Sequence, residues 1–376
     1  MKGILWTLLL AVAGLAILQQ TALAGQFKPP VYYKVGTLPY SIVTADFNHD
    51  GNLDLAVSDL GSNQISILLG RGDGTFHTAR TFSVPSCAGL AVGDFNGDGI
   101  PDLAVVEYAN YGTGALGIYL GNGDGTFRTG DSYRLGPGTV WLAAADFNGD
   151  GYLDVAVANS GSDDHGTDGS VMVLFGKGNG TLGKPSTYKL TGGPFAIAAG
   201  DLNGDGHPDI AVTTNAGFVA ILMNTGNGKF KHTKTYVAGG EPAGVAIAAL
   251  GRDGKGHQDL VVSCVQGVGV LLGNGDGTFG KETIYSTSGI GQAPSNAVVA
   301  DFNGDGNPDI ADVLFEGNSG LLYGKGDGTF KAAIPIRIHV GGGTSLTTGD
   351  FNNDQAPDLA IIVSQVNKVV VFLNTR

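Results

Sequence analysis

A nine-residue pattern that recurs seven times at nearly constant spacing constrains this chain more than any other feature. DFNHDGNLD at 46–54, DFNGDGIPD at 94–102 and DFNGDGYLD at 146–154 are three copies, and DLNGDGHPD at 201–209, DFNGDGNPD at 301–309 and DFNNDQAPD at 350–358 are three more. A worn copy, GRDGKGHQD, stands at 251–259. The starts lie 48, 52, 55, 50, 50 and 49 residues apart. That period marks a repeat architecture, in which one unit cannot cover its own apolar face and neighbours must stack.

The pattern has a chemistry. Hard divalent cations take several oxygen ligands, and Ca2+ accepts six to eight in flexible geometry. Side chains at positions 1, 3 and 5 of a tight loop point inward together, position 7 offers its carbonyl, and an Asp at 9 closes the site. Glycine at position 6 permits the positive φ of the turn. The loop resembles the opening half of an EF-hand, without its Glu at 12 or its helices. Asn-Gly and Asp-Gly are also plain hairpin residues, but a turn alone does not require carboxylates at 1, 5 and 9, which repel one another unless a cation sits among them. The expected ligands are Asp46, Asn48, Asp50, Asn52 and Asp54 in the first unit and Asp94, Asn96, Asp98, Ile100 and Asp102 in the second. They continue as Asp146, Asn148, Asp150, Tyr152 and Asp154, then Asp201, Asn203, Asp205, His207 and Asp209. Asp301, Asn303, Asp305, Asn307 and Asp309 follow, then Asp350, Asn352, Asp354, Ala356 and Asp358, where Gln355 stands in the place of the glycine. In the worn copy Gly251 and Lys255 replace the carboxylates at 1 and 5, so five or six Ca2+ sites are expected and the fifth unit is expected to be metal-free.

Residues 1–24 read as a cleavable export signal: Lys2, an apolar run over 4–18, then the small-residue site Ala22-Leu-Ala24. An uncleaved anchor is the alternative. The domain is then 25–376, exported, with no membrane span. The formal charge of −13 becomes −14 without Lys2, and six Ca2+ would bring −14 + 12 = −2. The acidity is thus a metal inventory, and it excludes a nucleic-acid binder, which needs a basic surface. Cys87 and Cys264 fall in units two and five, far apart round a ring, and are expected as buried thiols.

Each unit carries four short strands between Gly-rich turns, with no helical period, which predicts an all-β, seven-bladed β-propeller of four-stranded blades. A second motif, GDGTF at 72–76, 123–127, 275–279 and 326–330, with weaker forms at 178–182 and 226–230, supplies a hairpin turn and a Phe expected to pack between blades. The seventh unit stops after its third strand, and 26–36 matches the missing piece. The N-terminal strand is therefore expected to close the last blade and remove an exposed edge.

These interleaved DxNxDGxxD loops and GxGDGTF turns, over essentially the whole chain after the leader, resemble the FG-GAP/VCBS repeat family, with the integrin α-chain propellers as fold relatives. The resemblance implies Ca2+ in hairpin loops on one face and extracellular binding or adhesion through the other. It says little about the ligand.

Topology separates the two faces as well. The loops joining second to third strands lie opposite the acidic loops. Most are short, but 107–114 and 159–169 are long and carry Tyr108, Tyr111, Asp163, Asp164, His165 and Asp168, with Trp141 expected nearby. Such residues on a rigid scaffold suit a carbohydrate or protein ligand, although tolerated loop insertion gives the same pattern. Arg71-Gly72-Asp73 is a variant of the GNGDGTF turn on the acidic side, and the seven histidines show no zinc spacing. There is no GxSxG or HExxH. The expectation is a monomeric, non-catalytic binding module; a lyase-like enzyme acting on polysaccharides and a purely structural envelope module are the alternatives.

Overall fold

The computed structural model describes residues 26–108, 114–162, 167–251, 256–287, 294–314, 319–338 and 340–376. The leader expected at 1–24 lies outside them. The described residues form seven antiparallel sheets of four strands. Blade one shows the plan: an innermost strand Pro39–Ala45, then Asp54–Asp59, Gln64–Leu68 and an outer strand Arg80–Ser83. The innermost strand of each blade touches that of the next, and the seventh, Ser345–Gly349, touches the first, so the ring is closed.

Burial explains the composition of each strand. Second strands such as Asp54–Asp59 and Asp154–Asn159 are buried throughout, because neighbouring blades cover both sheet faces, and they read as near-continuous apolar runs. Outer strands such as Phe127–Arg134 are mostly exposed and carry Arg, Thr and Asp, which discourage pairing at a free edge. The core is divided into seven clusters lying between blades. One such cluster joins Phe47, Ala56 and Ile67 of blade one to Leu103 and Val105 of blade two.

Blade seven is completed by the other end of the chain. Val31–Lys34 pairs antiparallel with Lys368–Phe372, with Val31 opposite Val371 and Lys34 opposite Lys368. Phe27 lies edge-on to both Phe302 and Phe372, with ring centroids 6.2 and 6.1 Å away. Gln26 donates to the Phe302 carbonyl at 2.5 Å. Closure by the N-terminal strand is as the sequence predicts. Cys87 and Cys264 are buried and unbridged.

Candidate functional site

The six intact acidic loops fold alike. Asp46 accepts the Asp50 amide on Oδ1 (3.1 Å) and the Gly51 amide on Oδ2 (2.9 Å), while Asn48 Oδ1 also accepts Asp50 N–H at 3.1 Å. Asp98 repeats this with Asp94 and Asn96, as Asp150 does with Asp146 and Asn148 and Asp205 with Asp201 and Asn203. Gly51 has φ 86°, the left-handed turn that glycine takes without strain. Gln355 adopts φ 69° in its place, and its amide still reaches Asp350 Oδ2 at 2.7 Å, so the seventh loop closes like the others.

Side-chain oxygens of positions 1, 3 and 5 therefore share one side of each loop, an all-oxygen donor set that fits a hard cation. Asp50 Oδ1 accepts both Asn52 N–H and Asn52 Nδ2, while Oδ2 accepts Asn48 Nδ2 and keeps a lone pair. Among the described residues no three Asp, Glu, His or Cys side chains are gathered into a ready cage. A cation in these loops would draw its ligands from groups now turned onto the loop's own amides.

The ninth-position Asp has a second task. Asp54 Oδ2 accepts Phe47 N–H at 2.9 Å and Oδ1 accepts Gly70 N–H at 2.7 Å, tying the loop to the end of the third strand. The same pair of bonds is made by Asp102, Asp154, Asp209, Asp309 and Asp358. Burial pushes the Asp54 carboxyl up to about 6 against the pull of those two amides, and the Asp50 and Asp46 charges add to the rise. Asp102, Asp154, Asp209, Asp309 and Asp358 are likewise held at about 6, by burial first.

The worn loop keeps this clasp. Asp259 takes the Leu250 amide and the Gly273 amide, both at 2.7 Å. Leu250 therefore occupies the place of Phe47, nine residues before its Asp instead of seven. The loop starts at Ala249 rather than at Gly251, with two extra residues. Its first position has no carboxylate; Lys255 lies outside the described residues.

Each acidic loop is also bound to the next blade. Gly125, in the GDGTF turn of blade two, donates to the Phe47 carbonyl at 3.0 Å, and Gly180 and Gly277 reach Phe95 and Leu202 in the same way. The Phe of the turn lies edge-on to the Phe of the loop: Phe127 on Phe47 at 5.5 Å, Phe230 on Phe147 at 5.4 Å, Phe76 on Phe351 at 5.5 Å. The Phe does pack between blades.

On the opposite face Tyr108 and Asp168 are described, while Tyr111, Asp163, Asp164 and His165 lie outside the described residues. Asp168 braces its own loop, accepting Ser162 N–H at 2.7 Å and Ser162 Oγ at 2.6 Å. Trp141 is not on a loop. It belongs to an innermost strand, Thr139–Ala145, at the height where the other blades present Ser41, Gly89, Ala196, Gly244, Asn296 and Ser345. These small neighbours let the indole reach across the channel, against apolar clusters on both sides of blade four and onto Tyr40 of blade one, 5.6 Å away at 31°. Tyr40 is the extra residue of a β-bulge between Pro39 and Ser41, which re-aims its side chain. Burial pushes its hydroxyl up to about 12, Tyr108 adds to the rise and the Trp141 indole opposes it. That contact falls short of a hydrogen bond, for Trp141 Nε1 is buried without a partner. The sequence reading missed Tyr40; lining up the seven first strands would have shown an aromatic six residues before Asp46.

In an alignment 215 residues long that covers 46% of this chain, the protein is 32% identical to Integrin alpha-PS2 of Drosophila melanogaster, of which it spans only 15%. The fold recurs at 18% identity and a TM-score of 0.54 in an Agrocybe aegerita lectin described as recognising non-reducing terminal N-acetylglucosamine, over 93% of this chain and 95% of that one. It recurs at 15% identity and a TM-score of 0.62 in virginiamycin B lyase of Staphylococcus aureus, over 92% and 99%. At such identities the likeness shows the fold alone. No helix among the described residues is long and apolar enough to cross a membrane. A model of the FG-GAP-like repeat matches at 46–105, 94–157, 146–212, 201–255 and 252–311, more than half of the chain, and the protein belongs to that repeat family as an integrin-like β-propeller.

Proposed function

We propose that this chain is an exported, monomeric, non-catalytic binding module that holds Ca2+ in six acidic loops and captures an extracellular carbohydrate or protein on the opposite face. The observation that carries the metal reading is electrostatic. In each intact loop the ninth-position carboxyl is pushed up to about 6 by burial first, and the carboxylate at position 5 and, in five of the six, the one at position 1 add to the rise. A divalent cation relieves that crowding, and the oxygen donor set suits calcium. Positions 1, 3, 5 and 9 would supply side chains and position 7 a carbonyl; the cation would pin each loop and, through its Phe carbonyl, the turn of the next blade.

Integrin-type relatives support the extracellular binding role, and the apolar run at 4–18 supports export. Calcium titration by calorimetry and thermal melts in calcium and in chelator test the metal. Saturable uptake of about six ions and a lower melting temperature in chelator are expected, since a site held at a hundred times its Kd adds about 2.7 kcal/mol. No uptake and superimposable melts would refute it. A glycan array read in calcium and in chelator tests the ligand face, N-terminal sequencing of secreted protein tests cleavage before Gly25, and product assays on polysaccharides test the absence of catalysis.

A further inference from the structure

The central channel holds a cavity of about 190 Å³ to which all seven innermost strands contribute. Its wall joins Trp141 to Ser41, Asn296 and Ser345, with Leu90 and Ile197 as apolar ground, and among the described residues no charged one lines it. A charged ligand would therefore meet no counter-charge there and would be costly to bury. The space equals roughly six waters and lies below the range typical of drug-sized ligands, which limits an occupant to a single ring.

The polar groups define that ring further. Trp141 offers an aromatic surface, its Nε1 being buried away from the space. Two hydroxyls and a carboxamide stand with it, Ser41 Oγ already accepting the Leu90 amide at 3.3 Å and the carboxamide Oδ1 the Ala297 amide at 2.9 Å. An aromatic plane beside neutral donors and acceptors matches a ring that is apolar on one side and hydroxylated at its rim. The cavity sits near the starts of the innermost strands, at the end of the channel where the variable loops lie, so it opens toward the face proposed for capture.

We infer that the channel mouth is a subsite for one neutral pyranose unit, stacked on Trp141 and hydrogen-bonded by Asn296, Ser41 and Ser345. This rests on the binding-module reading and names the ligand class for it. The unit is either a free monosaccharide or the end of a longer glycan.

The chain has two tryptophans, Trp6 and Trp141, and cleavage before Gly25 removes the first, so the mature protein carries Trp141 as its sole indole and a reporter for the site. Against that protein, glucose, galactose, mannose, N-acetylglucosamine and N-acetylgalactosamine are titrated in calcium, each free and as the end unit of a trisaccharide, with Trp141 emission followed. At least one is expected to shift the emission saturably. A response to the free sugar marks a monosaccharide site; a response to the trisaccharide alone marks a chain end. Trp141→Ala, read by calorimetry, and Asn296→Leu, which fills the cavity and keeps the indole, are both expected to bind roughly tenfold or more weakly. Unmoved emission across the panel, with water alone in the channel, would overturn the inference. So would a sugar whose affinity survives Asn296→Leu, which would leave capture on the surrounding face standing. Calcium-dependent melting is measured separately, so failure of the metal reading is not mistaken for failure of the channel site.

Discussion

Replacing Asp259 by alanine tests the carboxylate clasp in the loop proposed to hold no metal, which has no carboxylate at its first position and keeps a single other acid, Asp253. Asp259 is 3% exposed, and its two oxygens hold the buried Leu250 amide and the Gly273 amide at 2.7 Å each. Alanine leaves both N–H groups without that acceptor, at roughly 1–3 kcal/mol each, so a loss of about 4 kcal/mol is expected. Asp154→Ala is the comparison: it removes the same two contacts, to Phe147 and Gly176, in a loop proposed to hold Ca2+. Urea denaturation followed by Trp141 emission, in calcium and in chelator, separates the two roles. Asp259→Ala is expected to cost the same in both buffers. Asp154→Ala is expected to match it in chelator and to cost more in calcium. A cost below about 1 kcal/mol for Asp259→Ala would refute the clasp, and a calcium-dependent cost there would refute a metal-free blade five.

Asp312 gives a pH prediction: it is buried where other blades place Val57, Val105, Val157, Val212, Val262 and Ile361, and burial pushes it up to about 7 despite Thr287 and the Gly320 amide. Its folded pKa exceeds the unfolded one, so the native state binds the extra proton; the stability it contributes is full below about 4, falls as pH rises to about 7 and then stays low. Asp312→Val should therefore gain on the native chain by roughly 4 kcal/mol more at pH 8 than at pH 4 by urea denaturation; equal differences at both pH values would contradict it. Gly125→Ala should destabilise by about 1–3 kcal/mol, because φ is +78° and a Cβ would meet Leu69 at 2.8 Å; a neutral melt would count against the inter-blade clasp. Phe27→Ala, removing the ring between Phe302 and Phe372, should cost about 3–5 kcal/mol in the same urea assay, and an unchanged midpoint would mean that closure does not depend on it.

The ring, its sevenfold count and its closing strand are legible because each is written as spacing. Roles that share one residue type are not. An Asp that ligates an ion and an Asp that ties two amides have the same signature, and only the worn copy hinted at the difference by keeping Asp259 with Gly251 and Lys255 where the other copies carry acids. The start of that loop was misplaced by two residues because Gly251 fits the spacing, while the hydrogen bond from Leu250 fixes the true register. Trp141 was visible as an aromatic near a loop, and its distance from Asp146 gave its height along the strand. Its direction depends on the small residues around the channel, Gly89 and Gly244 among them, which belong to other blades. Asp312 escaped notice because an isolated carboxylate in an apolar strand is unusual only when the seven strands are compared.

Pairing Val31 with Val371 has a temporal consequence. An early strand finds its partner only after some 340 further residues have been made, which at ordinary rates of synthesis is a wait of roughly tens of seconds. Until then Val31, Tyr32 and Tyr33 have unclaimed backbone groups and the opening half of the molecule is an arc with two raw ends. Slow, long-range pairing of this kind exposes a chain to wrong partners, neighbouring copies of itself included. For this protein the hazard is concentrated at birth, and whatever accompanies it during synthesis has one short segment to shield.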